Sequence, residues 1–245
     1  MTPAIANLGE QKIITFDVWN TLIKANPEFS RLRTIQIAYA YDIEQSEAKQ
    51  LYTSVKFFLD QSAEVARQCM TTEQCWELLD ATVQNFRRKN GERHIEVDLK
   101  QLRERCDDMF VDYPPILTQD TKDLLVRLKA KGHYLGIISN TNFCTGTLLF
   151  DTLFKELNVF KEAVFSDITG RPKPHGTMFT NIKRNLEDWA AFEGGLDEDD
   201  DAPYLNAVHV GDNLVCDGRA VLFQYDFQHC LNPDDLVATF KSVGL

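Results

Sequence analysis

The sequence predicts an α/β protein: a doubly wound parallel sheet whose first strand is followed by an inserted α-helical domain. Beyond residue 113 short apolar runs alternate with segments of helical spacing, the pattern that parallel strands and their crossover helices produce. Before that point, residues 27–112 carry helical spacing and no strand-like run. Tyr113-Pro114-Pro115 separates the two regimes, since neither proline can donate to a strand ladder or continue a helix. The expected division is therefore 1–22 with 113–245 for the sheet-bearing core and 23–112 for the helical insertion.

Each element has its own signal. Residues 12–16, β-branched and aromatic, suit a buried first strand. In the insertion Leu51, Val55, Phe58 and Leu59 fall on one helical face. Cys75, Trp76, Leu79, Val83 and Phe86 fall on another, behind Thr71-x-x-Gln74, which reads as a capping box. After the prolines come a helix over 119–131, with Leu124, Leu125 and Leu128 in one stripe and Gly132 as its stop, and a strand over 134–139. A helix over 144–157, a strand over 163–165, a helix over 175–189 and a strand over 207–210 follow. A helix over 214–222, a short strand over 227–230 and a helix over 233–242 complete the alternation.

With 245 residues, 44% of them apolar and 11% aromatic, the chain can bury a large core and is not disordered. Lys and Arg total 26 against 37 Asp and Glu, and the net charge of -11 disfavours a nucleic-acid partner. The segment 193–204 holds Glu193, Asp197, Glu198, Asp199, Asp200 and Asp201 and no base, more than half of that net charge. Consecutive like charges behind a glycine pair repel and stay hydrated, so a solvated surface loop is expected, the candidate place for a protein partner to dock. Six cysteines (Cys69, Cys75, Cys106, Cys144, Cys216, Cys230) form neither a Cys-x-x-Cys pair nor zinc-finger spacing with a histidine, and are read as reduced, cytoplasmic residues. The N-terminal segment lacks a basic start and a long apolar run, so neither secretion nor membrane insertion is expected.

Chemistry-bearing residues recur at the ends of the strand-like runs. Asp17 closes the first strand; buried there, its carboxylate needs a cation or hydrogen-bond donors, and beside a metal it can act as a nucleophile. Ser139 closes another strand and opens Ser-Asn-Thr-Asn, which is good turn chemistry and can also hold a phosphate oxygen with its hydroxyl and backbone N–H groups. Lys173 stands between Pro172 and Pro174, a rigid presentation that suits a fixed ammonium beside a phosphoryl group; Arg171 has no such motif. Gly211-Asp212 ends a fourth run, and Asp217 follows five residues later; such a carboxylate pair suits a hard cation such as Mg²⁺. His209, inside that run, reads as a buried, hydrogen-bonded residue rather than a ligand.

Taken together and in this order, Asp17-x-Trp19-x-Thr21, Ser139-Asn140-Thr141, Lys173-Pro174 and Gly211-Asp212 with Asp217 resemble the motifs of the haloacid dehalogenase (HAD) superfamily. The resemblance covers nearly all of residues 12–245 and implies a HAD-like, Rossmann-like catalytic core with a helical cap between the first and second motifs. It implies hydrolysis of a small phosphorylated molecule through an aspartyl-phosphate intermediate. In that reading Asp17 is nucleophile and metal ligand, Ser139 and Lys173 hold the phosphoryl group, and Asn140 and Thr21 touch the substrate. Trp19 gives only its backbone carbonyl to Mg²⁺, Asp212 completes the protein ligands, and Asp217 supports the metal directly or from behind.

Trp19 departs from the pattern. Phosphatases of the superfamily carry there an aspartate that protonates the leaving group, a contribution typically of roughly 10²- to 10⁴-fold. Without it, alkyl phosphates should turn over slowly, and acyl or aryl phosphates should suffer less. Three readings follow. The preferred one is a metal-dependent phosphohydrolase whose proton comes from another group, with His94 of the cap as a candidate. In another the chain is a binding or regulatory subunit that has lost catalysis, docking through the acidic segment. The third is a 2-haloacid dehalogenase-like enzyme, whose relatives place an aromatic residue at this position but use no metal and lack the Gly-Asp carboxylate. The cap should choose the substrate by closing over the sheet edge. Phe29, Arg31, Arg33, Tyr39 and Trp76 are its aromatic and cationic candidates, most of the aromatics being assigned to the cap's own core.

Overall fold

The computed structural model describes residues 11–194 and 205–242. The strands β1 (Lys12–Phe16), β2 (Tyr134–Ser139), β3 (Phe160–Phe165), β4 (Asn206–Gly211) and β5 (Tyr225–His229) form one parallel sheet in the order β3-β2-β1-β4-β5. From β1 the chain winds outward to one side and later to the other. Its connections therefore part between β1 and β4, which opens a crevice at the carboxyl ends of those strands.

The pleat assigns β1's side chains to two layers. Ile13 packs with Tyr134, Ile138 and the apolar face of α8 (Thr177–Gly194), from Met178 to Ala190. On the other face Ile14 and Phe16 pack with α5 (Gln119–Ala130), α6 (Gly146–Leu153) and α9 (Leu236–Ser242) through Leu124, Leu125, Leu149, Leu236 and Phe240. Each fully buried side chain of this size contributes roughly 1.5–3 kcal/mol. Helix α5 begins where the Thr118 hydroxyl accepts from Thr121 N–H, and the chain turns out of it at Gly132, whose φ of +85° few other residues adopt.

Between β1 and α5 lie only helices: α1 (Pro27–Tyr41), α2 (Gln45–Gln61) with a π-helical turn over Ser62–Ala66, α3 (Thr72–Lys89) and α4 (Leu99–Asp112). Asn26 caps α1 ahead of Pro27, Asp98 caps α4, and Thr71 and Gln74 form the reciprocal capping box of α3. These helices bury their own apolar cluster, including Ile37, Tyr41, Val55, Leu59, Trp76 and Leu79. The chain enters and leaves this unit side by side, Lys24 and Ile116 exchanging both backbone hydrogen bonds at 3.0 and 2.8 Å.

Several elements differ from expectation. The helix expected over 144–157 is α6 alone, started by the Thr145 cap and ended by a turn that places Asn158 at φ 46°. The segment 214–222 is not an α-helix: Asn213 Oδ1 accepts from Val215 and Cys216 N–H, holding a turn before a 3₁₀ helix over Gly218–Phe223. Residues 233–235 are also 3₁₀, and β3 starts three residues earlier than its apolar run. Phe58 and Tyr39 are exposed, not part of the cap core. The six cysteines are unpaired. Of the acidic stretch, Glu193 and Gly194 extend α8, with Glu193 paired to Lys161, while 195–204 lie outside the described residues. Among the described residues no helix is long and apolar enough to cross a membrane.

Candidate active site

The crevice at the carboxyl edge is a cleft of about 370 Å³. Asp17, Trp19, Asn140, Lys173 and Asp212 contribute to its floor. Helices α1–α4 contribute its roof, with Arg33, Tyr52, Lys56, Asp60, Trp76 and Asp107 among the lining residues.

Asp17 is fixed because its N–H continues the β1–β4 ladder to Val210 O at 2.8 Å. Its Oδ1 accepts from Lys173 Nζ at 2.6 Å and from the Ser139 hydroxyl at 3.3 Å. Its Oδ2 has no hydrogen-bond donor among the described residues. Lys173 also donates to Asp217 Oδ1 at 2.5 Å, and its backbone N–H donates to Asn140 Oδ1 at 2.9 Å. The flanking prolines and that bond hold a buried ammonium between two carboxylates.

Asp217 is fully buried, with both oxygens engaged: Oδ1 by Lys173 and by His209 Nε2 at 3.1 Å, Oδ2 by Asn213 N–H at 3.0 Å. It lies against Gly211, where an added Cβ would meet the Asp217 carboxyl carbon at 2.3 Å, so this strand end requires glycine. His209 is fully buried; its other nitrogen faces the Thr15 hydroxyl at 2.9 Å, and burial pushes its pKa down. Asp212 Oδ2 accepts from Asn20 Nδ2 at 3.1 Å.

The charges do not balance. Three carboxylates surround one ammonium, an excess of two negative charges when all three are ionised. Burial pushes Asp17 up to about 7 against the pull of Lys173, with Asp217 and Asp212 adding repulsion. Burial would also raise Asp217, but Lys173 and His209 together hold it at about 2. The same two carboxylates keep Lys173 charged, above its ordinary value, despite burial. Burial raises Asp212 as well.

This donor set fits a divalent cation. Oxygens of Asp17, Asp212 and Asp217 lie within 4.8 Å of one another, and two positive charges would cancel the excess. Trp19 lines the cleft, and its carbonyl accepts no hydrogen bond among the described residues. Asp217, its oxygens already taken, is placed to brace the group from behind.

The structure thus brings together Asp17, Ser139, Lys173, Asp212, Asp217, Asn140 and Trp19. Ser139 reaches Asp17 while fully buried, so it positions that carboxylate and does not line the cleft. Thr21 is not brought to the cleft. The N–H groups of Thr21, Leu22 and Ile23 all converge on Val18 O, a turn that buries the Thr21 side chain. Its hydroxyl has no hydrogen-bond partner among the described residues. His94 is exposed in a separate hollow with Arg88 and Glu92, and Arg171 lies outside the cleft with His175. Contacts from roof to floor carried no sequence signal: Asn142 Nδ2 donates to Asp60 at 2.8 Å, Asn213 Nδ2 to Glu64 at 2.5 Å, and Trp76 Nε1 to Phe143 O at 3.2 Å. Glu64 sits on the π-helical turn, and such turns recur at functional sites.

Fold and site define an α/β protein with a carboxylate-centred cleft at the carboxyl edge of its sheet. The chain belongs to the haloacid dehalogenase-like hydrolase family, whose sequence profile matches residues 11–221. No curated protein matches closely enough to count as a relative. Among solved structures, a HAD-hydrolase from Bacillus subtilis bound to magnesium is 16% identical, with a TM-score of 0.59 over 96% of this chain and 99% of that one. The L-2-haloacid dehalogenase from Xanthobacter autotrophicus is 16% identical, with a TM-score of 0.53 over 96% and 84%. A predicted phosphoglycolate phosphatase from Haemophilus somnus 129PT is 16% identical, with a TM-score of 0.51 over 89% and 84%. At these identities the likeness is one of fold.

Proposed function

We propose that this chain is a metal-dependent phosphohydrolase acting on a small phosphorylated molecule through an aspartyl-phosphate at Asp17, with 1–22 and 113–245 as catalytic core and 23–112 as cap. The observation that carries the reading is the charge imbalance around Lys173: three carboxylates, one ammonium. A carboxylate that displaces halide needs no such excess, whereas a Mg²⁺ site does. Asp17, Asp212 and the Trp19 carbonyl, with Asp217 behind, would hold Mg²⁺, which would supply charge neutralisation for the phosphoryl oxygens when bound.

Asp17 Oδ2, held by no protein donor, attacks phosphorus as the bond to the leaving oxygen breaks and its electron pair departs with that oxygen. Lys173 and Ser139 hold Oδ1 and so keep the carboxylate aimed. Water then attacks the aspartyl-phosphate at phosphorus, the bond between phosphorus and Asp17 breaks with its electron pair returning to the carboxylate, and the phosphate leaves with the water's protons. Trp19 transfers no proton, so acyl and aryl phosphates, whose carboxylate and phenolate leaving groups depart without one, are the favoured substrates. The test is release of phosphate from acetyl phosphate and 4-nitrophenyl phosphate with and without Mg²⁺, beside halide release from 2-chloropropionate. Mg²⁺-dependent phosphate release that disappears in Asp17→Asn is expected; metal-independent halide release would assign the chain to the dehalogenases.

A further inference from the structure

The cleft wall holds three cations, and two of them are taken: Lys173 by Asp17 and Asp217, Lys56 by Asp60 at 2.6 Å. Arg33 of α1 has neither a carboxylate nor a hydrogen-bond acceptor among the described residues, and its Nε is buried without a partner. Arg33 is half-buried, so its remaining N–H groups are left to water or to an anion from outside the protein.

Arg33 is nevertheless held in place. Its guanidinium carbon lies 3.8 Å from the Tyr52 ring centroid and 5.0 Å from that of Phe29, one helical turn earlier. Tyr52 in turn packs on Phe143, at 4.6 Å between centroids, in the core loop that follows Ser139. The guanidinium carbon lies over both rings and no protein acceptor engages its N–H groups among the described residues, which leaves the accessible ones for an oxyanion.

We infer that Arg33 binds a carboxylate carried by the same small molecule as the reacting phosphoryl group, which makes it a specificity-determining residue of the cleft. A planar carboxylate matches the two-pronged N–H edge. It also adds a single charge to a wall that already presents Asp60, Glu64 and Asp107, where a second phosphate would add about two. The inference rests on the phosphohydrolase reading, since Asp17 and Mg²⁺ receive the phosphoryl end.

The test is calorimetric titration of the full chain, with Mg²⁺, by methylphosphonate and by phosphonoacetate, stable mimics without and with the carboxylate. Wild type should bind phosphonoacetate about 10- to 100-fold more tightly, and Arg33→Met should reduce that preference to within about threefold. Arg33→Lys, which keeps the charge and loses the fork, should fall between them and serves if the methionine variant does not fold. A preference that persists in the folded variants overturns the assignment of Arg33, as does an equal loss of affinity for both ligands. Wild type that binds methylphosphonate yet shows no preference overturns Arg33 alone and leaves the phosphohydrolase reading standing. Wild type that binds neither phosphonate overturns both.

Discussion

The floor and the roof of the cleft are built on different principles. The floor hangs on strand ends, where the ladder fixes each backbone and buried hydrogen bonds fix each side chain: Asp17, Ser139, Lys173, Asp217 and His209 form one connected network. The roof is a helical layer with its own apolar core, joined to the floor by a few polar bonds and an aromatic pile. The floor's geometry is thus fixed by many buried bonds, and the roof's attachment to it by few.

The largest effect should come from breaking the floor. Asp17→Asn should lower phosphate release by roughly 10⁴-fold or more while the protein stays folded, measured as kcat beside a melting curve. Lys173→Met leaves two buried carboxylates without their shared cation. It should cost about 3–5 kcal/mol of stability, checked by urea unfolding without metal. On the proposed phosphohydrolase reading, Trp19→Asp supplies a proton donor and should raise turnover of an alkyl phosphate by roughly 10²-fold or more, leaving acetyl phosphate little changed. An unchanged alkyl rate would show that more than this proton is missing from the floor.

The roof should respond less. Trp76→Phe removes the indole donor from the buried Phe143 carbonyl, and a cost of about 1–3 kcal/mol is expected in thermal unfolding. The smallest effect concerns pH. Burial and neighbouring carboxylates raise Asp17 above its ordinary 3.8, to about 7, so the folded, metal-free protein retains a proton that the unfolded chain loses. Stability from this group is therefore greatest at low pH and falls as pH rises through the window from about 4 to about 7. Melting temperatures of wild type and Asp17→Asn in chelator should diverge in that direction, and Mg²⁺ should flatten the difference.

The same contrast decides how much could be read from the sequence. Strand ends announce themselves: β1 and β2 coincide with their apolar runs, and Asp17, Ser139, Lys173, Asp212 and Asp217 meet as the strand order requires. The inward turn of Thr21 is not legible, because sequence spacing does not show that three N–H groups share the Val18 carbonyl. The helix expected over 214–222 failed because the Asn213 and Asp217 side chains hold local backbone N–H groups. Helical spacing proposed which cap residues are apolar but not which way α2 faces, hence exposed Phe58. Arg33 was visible only as one cation among several. Its lack of a carboxylate partner is a property of packing, and Phe29 at i−4 was the sole local hint.

Acceptance of a phosphoryl group by Asp17 in a metal-dependent site is the proposed chemistry on which the rest depends. Beryllofluoride, which mimics an acyl phosphate on a carboxylate, tests it without any choice of substrate, read by ¹⁹F NMR of the full chain. The account predicts bound fluoride resonances that require both Mg²⁺ and the Asp17 carboxylate and vanish in Asp17→Asn. Wild type that shows no bound resonance with Mg²⁺, or an equal one without it, would contradict the claim.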